Sequence, residues 1–390
     1  MSKINAIAVI GAGFGDEGKG LMTDYHAAKS SKNTIVVRYN GSAQAGHTVQ
    51  LENGTRHIFS HFGSGTFCGL PTVLSEFFVI HPFLFKKELE ELQSKGYYPE
   101  VLIHSNSMVT TPFDMLVNQI VELGRGHKRH GSVGVGFGET FDRNDYMPIY
   151  VSDLKHEDIL REKLILIRDR WVPTRILERN QANDHLYNVL MEPSLIDEFL
   201  YNCKYMLQRT HIFKWDEVTN RDIIFEGAQG LMLDQTYGFF PHVTRSNTGL
   251  KNIVELLKNF DVDTLTINHV SRMYTTRHGA GPLPFESNFP EHIMDNTNHP
   301  HIFQGNLRYA PLNLTQLGNA IEWDYSAVDG GVDYEINPQL TFTCVDQLND
   351  TMTVINNERL VDVDLNTLTN IWGATSLSYG PTRNDVKQIR

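Results

Sequence analysis

A short apolar run, a glycine-rich turn, a helix-like segment and a second apolar run open this chain, and that succession constrains the fold more than any other feature. Ala6 to Ile10 reads as a buried strand, Gly20 to Lys29 has helical spacing, and Thr34 to Tyr39 is rich in β-branched residues. Two strands joined through a helix form a βαβ unit, which commits them to a parallel sheet. Further buried-strand candidates are Phe77 to Ile80, Val101 to Ile103, Ile223 to Phe225, Thr264 to Ile267 and Leu340 to Cys344. Asp158 to Arg209 carries Leu and Ile at helical spacing. The predicted architecture is α/β: one large domain over residues 1–390, with a central, mostly parallel sheet flanked by helices. Glycine clusters recur far apart along the chain, which predicts several loops converging on one site.

Charge and cysteine usage narrow the function. With 34 Lys and Arg against 46 Asp and Glu, the formal net charge is −12. A nucleic-acid backbone calls for clustered basic residues, so no nucleic-acid partner is expected. A small phosphate site needs only a few donors and tolerates an acidic surface. Cys68, Cys203 and Cys344 lie far apart without metal-ligand spacing, which predicts a reduced compartment and no disulfide framework. No apolar run approaches the ~20 residues of a membrane span. The run Ile4 to Ile10 leads into Gly11-Ala12-Gly13-Phe14-Gly15-Asp16 without a small-residue cleavage pattern, so a buried strand and a cytoplasmic location are expected. His127, His130, His299 and His301 match no motif and read as solvated or structural; His299 and His301 as a metal pair lack a third ligand.

The sharpest local signal is Gly13-Phe14-Gly15-Asp16-Glu17-Gly18-Lys19-Gly20. Glycines let backbone N–H groups approach phosphate oxygens, and the following helix adds its positive end. Lys19 offers a point charge to a phosphate, and Asp16 offers a metal ligand or a proton acceptor. A Walker A loop is excluded, because Gly20 stands where Ser or Thr should follow the lysine.

This loop, GDEGKG after a short strand, resembles the first signature of the adenylosuccinate synthetase family, and six further stretches resemble that family in its order. They are Asn40 to Thr48 ending in AGHT, Gly131-Ser132-Val133-Gly134 with Gly136 and Gly138, and Glu226-Gly227-Ala228-Gln229-Gly230 with Asp234. Val243 to Thr248 (VTRSNT), Thr276 to Pro282 (TRHGAGP) and Gly380-Pro381-Thr382-Arg383 complete the set. The resemblance implies a P-loop-NTPase-like fold, a homodimer, and a ligase that joins aspartate to C6 of a purine nucleoside monophosphate. It also implies the route: the 6-oxo group is phosphorylated by a nucleoside triphosphate, and the aspartate amine then displaces phosphate.

Carried over residue by residue, Asp16 matches the base that removes the N1 proton and His47 matches the general acid at the phosphoryl and O6 side. Lys19 and Mg²⁺ clamp the phosphates, the metal being held by Asp16 and the Gly46 carbonyl, and Gln229 matches the contact to the 6-oxo edge. Gly15, Glu17, Gly18, Gly20, Thr48, Thr343, Asp346, Gly380 and Pro381 match triphosphate-binding positions. Ser132, Val133, Thr244, Arg245 and Asn306 fall on the monophosphate side. Gln304, Gly305 and Arg308 fall on the aspartate loop, Arg308 on the arginine that holds the aspartate carboxylate.

Departures from the family pattern bear on the substrate. Asn306 replaces the arginine that reaches the ribose 2′-hydroxyl, and a site without that partner tolerates a deoxyribose. Val135 stands in the place of the third motif's arginine, leaving Arg143 and Arg245 as substitutes at the monophosphate. TKxD becomes Thr343-Cys344-Val345-Asp346, which leaves GTP, ATP and dATP open as donor. These changes resemble the phage-type branch, which acts on dGMP and yields N6-succino-2-amino-2′-deoxyadenylate, in which case the host cytoplasm is the location. Some members of that branch carry a small residue in place of the base aspartate. Asp16 is kept here, so IMP stays open as the acceptor. The altered arginines also leave a non-catalytic purine-nucleotide-binding protein as a third reading.

Overall fold

The computed structural model describes residues 3–126, 131–179, 183–293, 295, 298, 302–348 and 351–390. His127, His130, His299 and His301 lie outside the described residues. The first half of the chain runs β1 (Ile4–Gly11), α1 (Lys19–Lys29), β2 (Thr34–Arg38), β3 (His47–Gln50), β4 (Arg56–Phe59), β5 (Thr72–Leu74), α2 (Pro82–Ser94), β6 (Val101–His104) and α3 (Pro112–Arg125). A helical stretch follows: α4 (Phe137–Asn144), α5 (Glu157–Leu166), α6 (Val172–Glu178), α7 (Asp184–Met191) and α8 (Ser194–Leu207). The remainder is β7 (His211–Phe213), β8 (Asp222–Gly230), α9 (Leu250–Leu257), β9 (Val262–Arg272), β10 (Tyr274–Arg277), β11 (Arg308–Asn313), α10 (Leu314–Tyr325), β12 (Glu335–Thr343), β13 (Thr351–Asn356), β14 (Arg359–Asp364), α11 (Leu365–Trp372), β15 (Ser376–Ser378) and β16 (Val386–Gln388).

Ten strands form the main sheet in the order β16-β15-β12-β9-β1-β8-β2-β5-β6-β7. Every neighbouring pair is parallel except β15 and β16. The α/β expectation, with helices flanking a mostly parallel sheet, therefore holds. β1 sits in the middle, and the chain leaves it for β2 on one side and later returns to β9 on the other. In such sheets ligands bind outside the carboxyl ends of the strands, where the order switches. All five residues of β2 are buried, as befits a strand covered on both faces. A four-stranded sheet (β10-β11-β13-β14) and the β3-β4 hairpin sit beside this frame.

One expected strand is displaced. Phe78 to Ile80 are buried and Phe77 partly so, but the stretch forms only single bridges, Val79 with Ser42 and Ile80 with Val109. The ladder strand is Thr72–Leu74, five residues earlier, where β2 and β6 offer their edges. By residue 77 the neighbouring chain has left β2 and turned at Gly41, so no continuous partner remains.

Candidate active site

Parallel strands deliver their carboxyl ends to one rim, and the sequence motifs begin there. Gly11 pairs with Gly230 on one side and Val270 on the other, which sets the phosphate loop against the Glu226–Gly230 stretch. Gly18 caps α1 with φ 95°, a left-handed conformation that favours glycine, and a Cβ there would lie 3.2 Å from Thr343 Cγ2. Thr343 Oγ1 in turn donates to the Glu17 carbonyl at 2.7 Å. The second loop is sewn to the same place: Asn40 accepts from Ala228 N (2.7 Å) and donates to Ala228 O (2.9 Å). A Cβ on Gly41 would come within 2.5 Å of the Ala228 methyl, so only glycine allows that approach.

The phosphate loop therefore touches each of the three residues expected to handle the purine edge. It carries Asp16 itself. A Cβ on Gly15 would be 3.6 Å from Gln229 Oε1, and one on Gly20 would be 3.0 Å from the His47 Cβ. Gln229 adopts φ 64°, an uncommon conformation for a side-chain-bearing residue, of a kind that clusters at ligand sites.

Inside the loop Glu17 is buried. Its Oε1 accepts from Gly13 N (3.0 Å) and Gly15 N (2.7 Å), while Oε2 accepts from Lys19 Nζ at 2.8 Å. Lys19 also donates to the Gly15 carbonyl at 2.5 Å. Glu17 is thus an internal anion for the loop rather than a group facing outward, and Lys19 is held at the loop by it.

His47, at the start of β3, is buried and its Nδ1 lies 2.6 Å from Glu226 Oε1. Ser64 N donates to the other Glu226 oxygen at 2.8 Å, and Ser64 Oγ donates to Oε1. Glu226 can only accept in its ionised form, so Nδ1 carries a proton and Nε2 is left buried without a hydrogen-bond partner. Burial pulls the His47 pKa down against the opposing pull of Glu226. Burial likewise pushes Glu226 up, but Arg38 and His47 outweigh it and hold the carboxyl below its usual range. Neutral His47 presents a lone pair at Nε2; a donor role requires an incoming anion to draw a proton there.

Asp16 is half-buried. Its Oδ2 lies 3.0 Å from His278 Nε2, and its carbonyl accepts from Arg272 Nε. Burial acts to raise its pKa, but the adjacent His278 imidazole and the nearby Arg272 charge prevail and lower it.

The remaining expected residues lie around this centre. Ser132 Oγ donates to Asn118 Oδ1 (2.8 Å) and accepts from Gly134 N (3.0 Å), beside half-buried Val133. Gly131 abuts Gly279, and Gly134 abuts the Phe303 ring. Gln44 Nε2 donates to Thr244 Oγ1 at 3.4 Å, a pairing that puts Gln44 beside the expected monophosphate hydroxyl. Arg308 Nε donates to Glu286 Oε1 (2.9 Å), Nη2 to Oε2 (2.5 Å), and Nη1 to the carbonyls of Gly279 and Gly281, both at 2.9 Å. Gln304 is half-buried, whereas Gly305 and Asn306 are exposed. Gly46 is exposed and Thr48 half-buried.

Asp346 is accessible in the turn after Cys344; partial desolvation, and then the Asp385 charge, raise its pKa, which ties that turn to the Gly380–Asp385 segment. Gly380 accepts from Ser378 Oγ at 2.9 Å, with exposed Pro381 next to it. Arg383 anchors the segment to α1 through Asp24 at 2.6 and 2.7 Å.

Two arginines were candidates to hold a monophosphate. Arg143 is not available: it is fully buried, with its Nε and both Nη atoms engaged by Asp114, Asn144 Oδ1 and the carbonyls of Val109 and Met147. Arg245 stays near Thr244 with its guanidinium turned onto Asp142. Sequence reasoning gave no separate role to Glu226, Gln44 or His278. For Glu226 a signal existed, since a carboxylate ending the apolar run Ile223-Ile224-Phe225 must find a partner when buried.

The sequence and the fold are both similar to those of known proteins. The family profile described as adenylosuccinate synthetase matches residues 8–308. The adenylosuccinate synthetase of Clostridium botulinum (strain Alaska E43 / Type E3) is 31% identical over 294 residues, 73% of this chain and 66% of that protein. That of Thermosynechococcus vestitus is 33% identical over 291 residues, 72% of this chain and 62% of that protein. The match thus spans about 66% or less of those relatives' length and stops short of Thr343 and Gly380. Among solved structures, the fully ligated adenylosuccinate synthetase of Plasmodium falciparum superposes with a TM-score of 0.74 at 18% identity, over 98% of this chain and 99% of that one. The succinoaminodeoxyadenylate synthetase of cyanophage S-2L, bound to dGMP and dATP, superposes with 0.61 at 16% identity, over 99% and 96%. On the sequence match over residues 8–308, this chain belongs to the adenylosuccinate synthetase family.

Proposed function

We propose that the chain is a carbon–nitrogen ligase that joins L-aspartate to C6 of a purine nucleoside monophosphate, with dGMP as acceptor and a nucleoside triphosphate (GTP, ATP or dATP) as phosphoryl donor. The observation that carries this is the convergence on one glycine loop of a carboxylate, a buried imidazole with an unpartnered nitrogen, and an amide in a left-handed turn. Those three groups answer the three needs of a lactam oxygen that leaves poorly.

In this reading the Asp16 carboxylate takes the N1 proton, so that electron density moves onto O6 and the oxygen attacks the terminal phosphorus. The Gln229 amide orients the 6-oxo edge. Lys19, released from Glu17 toward the stronger anion, offsets charge on the transferring group. His47 Nε2, protonated as the anionic nucleotide arrives and backed by Glu226, donates at the O6–phosphoryl side. Arg308 binds an aspartate carboxylate, exchanging Glu286 for it, and the amine attacks C6 as phosphate leaves.

Mg²⁺ fits this donor set. The Asp16 oxygen outside the His278 contact has two lone pairs, one for the N1 proton and one for a cation, and Gly46 is exposed, which suits a cation held by one carboxylate, a carbonyl and the substrate's phosphates. When bound it supplies charge neutralisation on those phosphates. The reading carries with it the family's homodimer and a cytoplasmic location; among the described residues no helix is long and apolar enough to cross a membrane.

Asn306 supports the deoxyribose acceptor, being short and exposed where an arginine would reach a 2′-hydroxyl. The cyanophage protein bound to dGMP offers a precedent on the same fold. IMP is the second reading, favoured by relatives 31–33% identical that are adenylosuccinate synthetases and by the intact Asp16, His47 and Gln229. Phosphate release measured with each acceptor, each donor, aspartate and Mg²⁺, omitting one at a time, tests both. Release that needs dGMP and aspartate together supports the first reading. Release with IMP alone supports the second, and nucleotide binding without release supports a non-catalytic protein.

A further inference from the structure

His278 stands at the variable position of Thr276-Arg277-His278-Gly279, and nothing in the motif asks for a histidine there. Its neighbour is firmly fixed. Arg277 is buried, donates to the carbonyls of Pro282 (2.9 Å) and His242 (3.2 Å), and lies over the Phe14 ring of the phosphate loop at 4.4 Å. The turn therefore delivers the His278 ring to the loop in a set position.

The hydrogen bonds around that ring define its tautomer. Nε2 is hydrogen-bonded to Asn298 Oδ1 at 3.1 Å and stands 3.0 Å from Asp16 Oδ2 as a charge contact. The Asn298 amide cannot be reversed at no cost, because its Nδ2 donates to Asp295 Oδ2 at 2.9 Å and its backbone N to Asp295 Oδ1 at 2.9 Å. Both neighbours of Nε2 are thus acceptors, and Nε2 carries the hydrogen. Asp295 also accepts from Arg272 Nη1 at 3.1 Å, and Arg272 Nε donates to the Asp16 carbonyl. The contacts leave Asp16 from its side chain and return to its backbone, a ring closed by the His278 charge contact and by hydrogen bonds through Asn298, Asp295 and Arg272.

We propose that His278 is a positioning residue for the ligase reaction: its imidazole, 3.0 Å from Asp16 Oδ2, holds the Asp16 carboxylate by charge contact in the one orientation from which the other oxygen reaches N1 of the purine. This rests on reading Asp16 as the base. The Asp16 carboxylate is half-buried on a loop, and without the imidazole its Oδ2 loses its nearest polar partner and the side chain is free to turn. Misplacement of a reacting group by about an ångström is enough to cost roughly a hundredfold in rate.

The test uses the full chain and compares wild type, His278→Leu, His278→Gln and Asp16→Asn in kcat and in KM for the triphosphate, with unfolding midpoints for each. His278→Leu is expected to lower kcat by about tenfold to a hundredfold, as loss of a partner behind a functional carboxylate does, while KM for the triphosphate changes by less than about twofold. His278→Gln puts an amide N–H in place of Nε2 and is expected to recover most of that loss; a space-filling role would give no such recovery. His278→Leu turning over like wild type while Asp16→Asn is inactive overturns the proposal alone, as does His278→Gln as slow as His278→Leu with both folded. Asp16→Asn with full turnover overturns the reading of Asp16 as base, and the role of His278 with it.

Discussion

At the scale of single residues, chemistry concentrates where a polar group is buried and its pairing is incomplete. His47 has one nitrogen bound to Glu226 and the other unpartnered, an arrangement that costs stability unless a ligand completes it. Glu226→Gln keeps the shape and removes the charge that favours imidazolium. Turnover is predicted to fall by about a hundredfold or more with KM for the nucleotides little changed, measured by steady-state phosphate release. Equal loss in KM would assign Glu226 to binding instead. Asp16, Lys19, His47 and Gln229 could be singled out because each sits in a stretch that resembles a family motif. His278 and Gln44 could not, because their importance comes from partners 262 and 200 positions away, Asp16 and Thr244.

Among elements, the βαβ start was the easiest to read, since an apolar run, a glycine turn and helical spacing fall within forty residues. Phe77 to Ile80 misled for a physical reason: its β-branched and aromatic character describes a buried extended segment, but a ladder also requires a neighbour of matching length. Arg143 misled in the opposite way. An arginine near a glycine motif suggests an anion, whereas here it locks α4 against α3. Asp114 closes the capping box of α3 with Thr111 and accepts from Arg143 Nε and Nη2 at 3.1 and 3.0 Å. Both side chains are fully buried. Arg143→Leu leaves Asp114 charged without its partner and is predicted to destabilise the fold by about 3–5 kcal/mol, read from urea unfolding. A loss below about 1 kcal/mol would mean that α3 and α4 hold together without the pair.

Over the whole molecule, the parallel sheet places widely separated loops on one rim, and buried titratable groups fill the frame behind it. Burial lowers the His81 pKa to about 3 and that of His26 to about 4. Burial acts to raise Glu88, but the neighbouring His57 and His61 imidazoles and the His61 backbone N–H prevail and bring it to about 2. In all three the unfolded chain binds protons at a higher pH than the folded one. The histidines cost stability as pH falls below about 6.5, and Glu88 adds its loss as pH falls below about 4.5. The urea midpoint is therefore predicted to drop steadily from pH 7 to pH 4, and to drop less in His81→Phe; a flat midpoint would contradict this.

The three groups around the phosphate loop act together on the lactam edge of the bound purine, Asp16 at N1 and His47 and Gln229 at the 6-oxo group, so that O6 becomes the oxygen that takes the phosphoryl group. The most direct test is dGMP carrying a heavy-oxygen label at O6, turned over with aspartate and the triphosphate, with the released phosphate analysed by mass spectrometry. The account predicts that each phosphate released carries the label, because the C6–O6 bond breaks after O6 has taken the phosphoryl group. Turnover with unlabelled phosphate would contradict it.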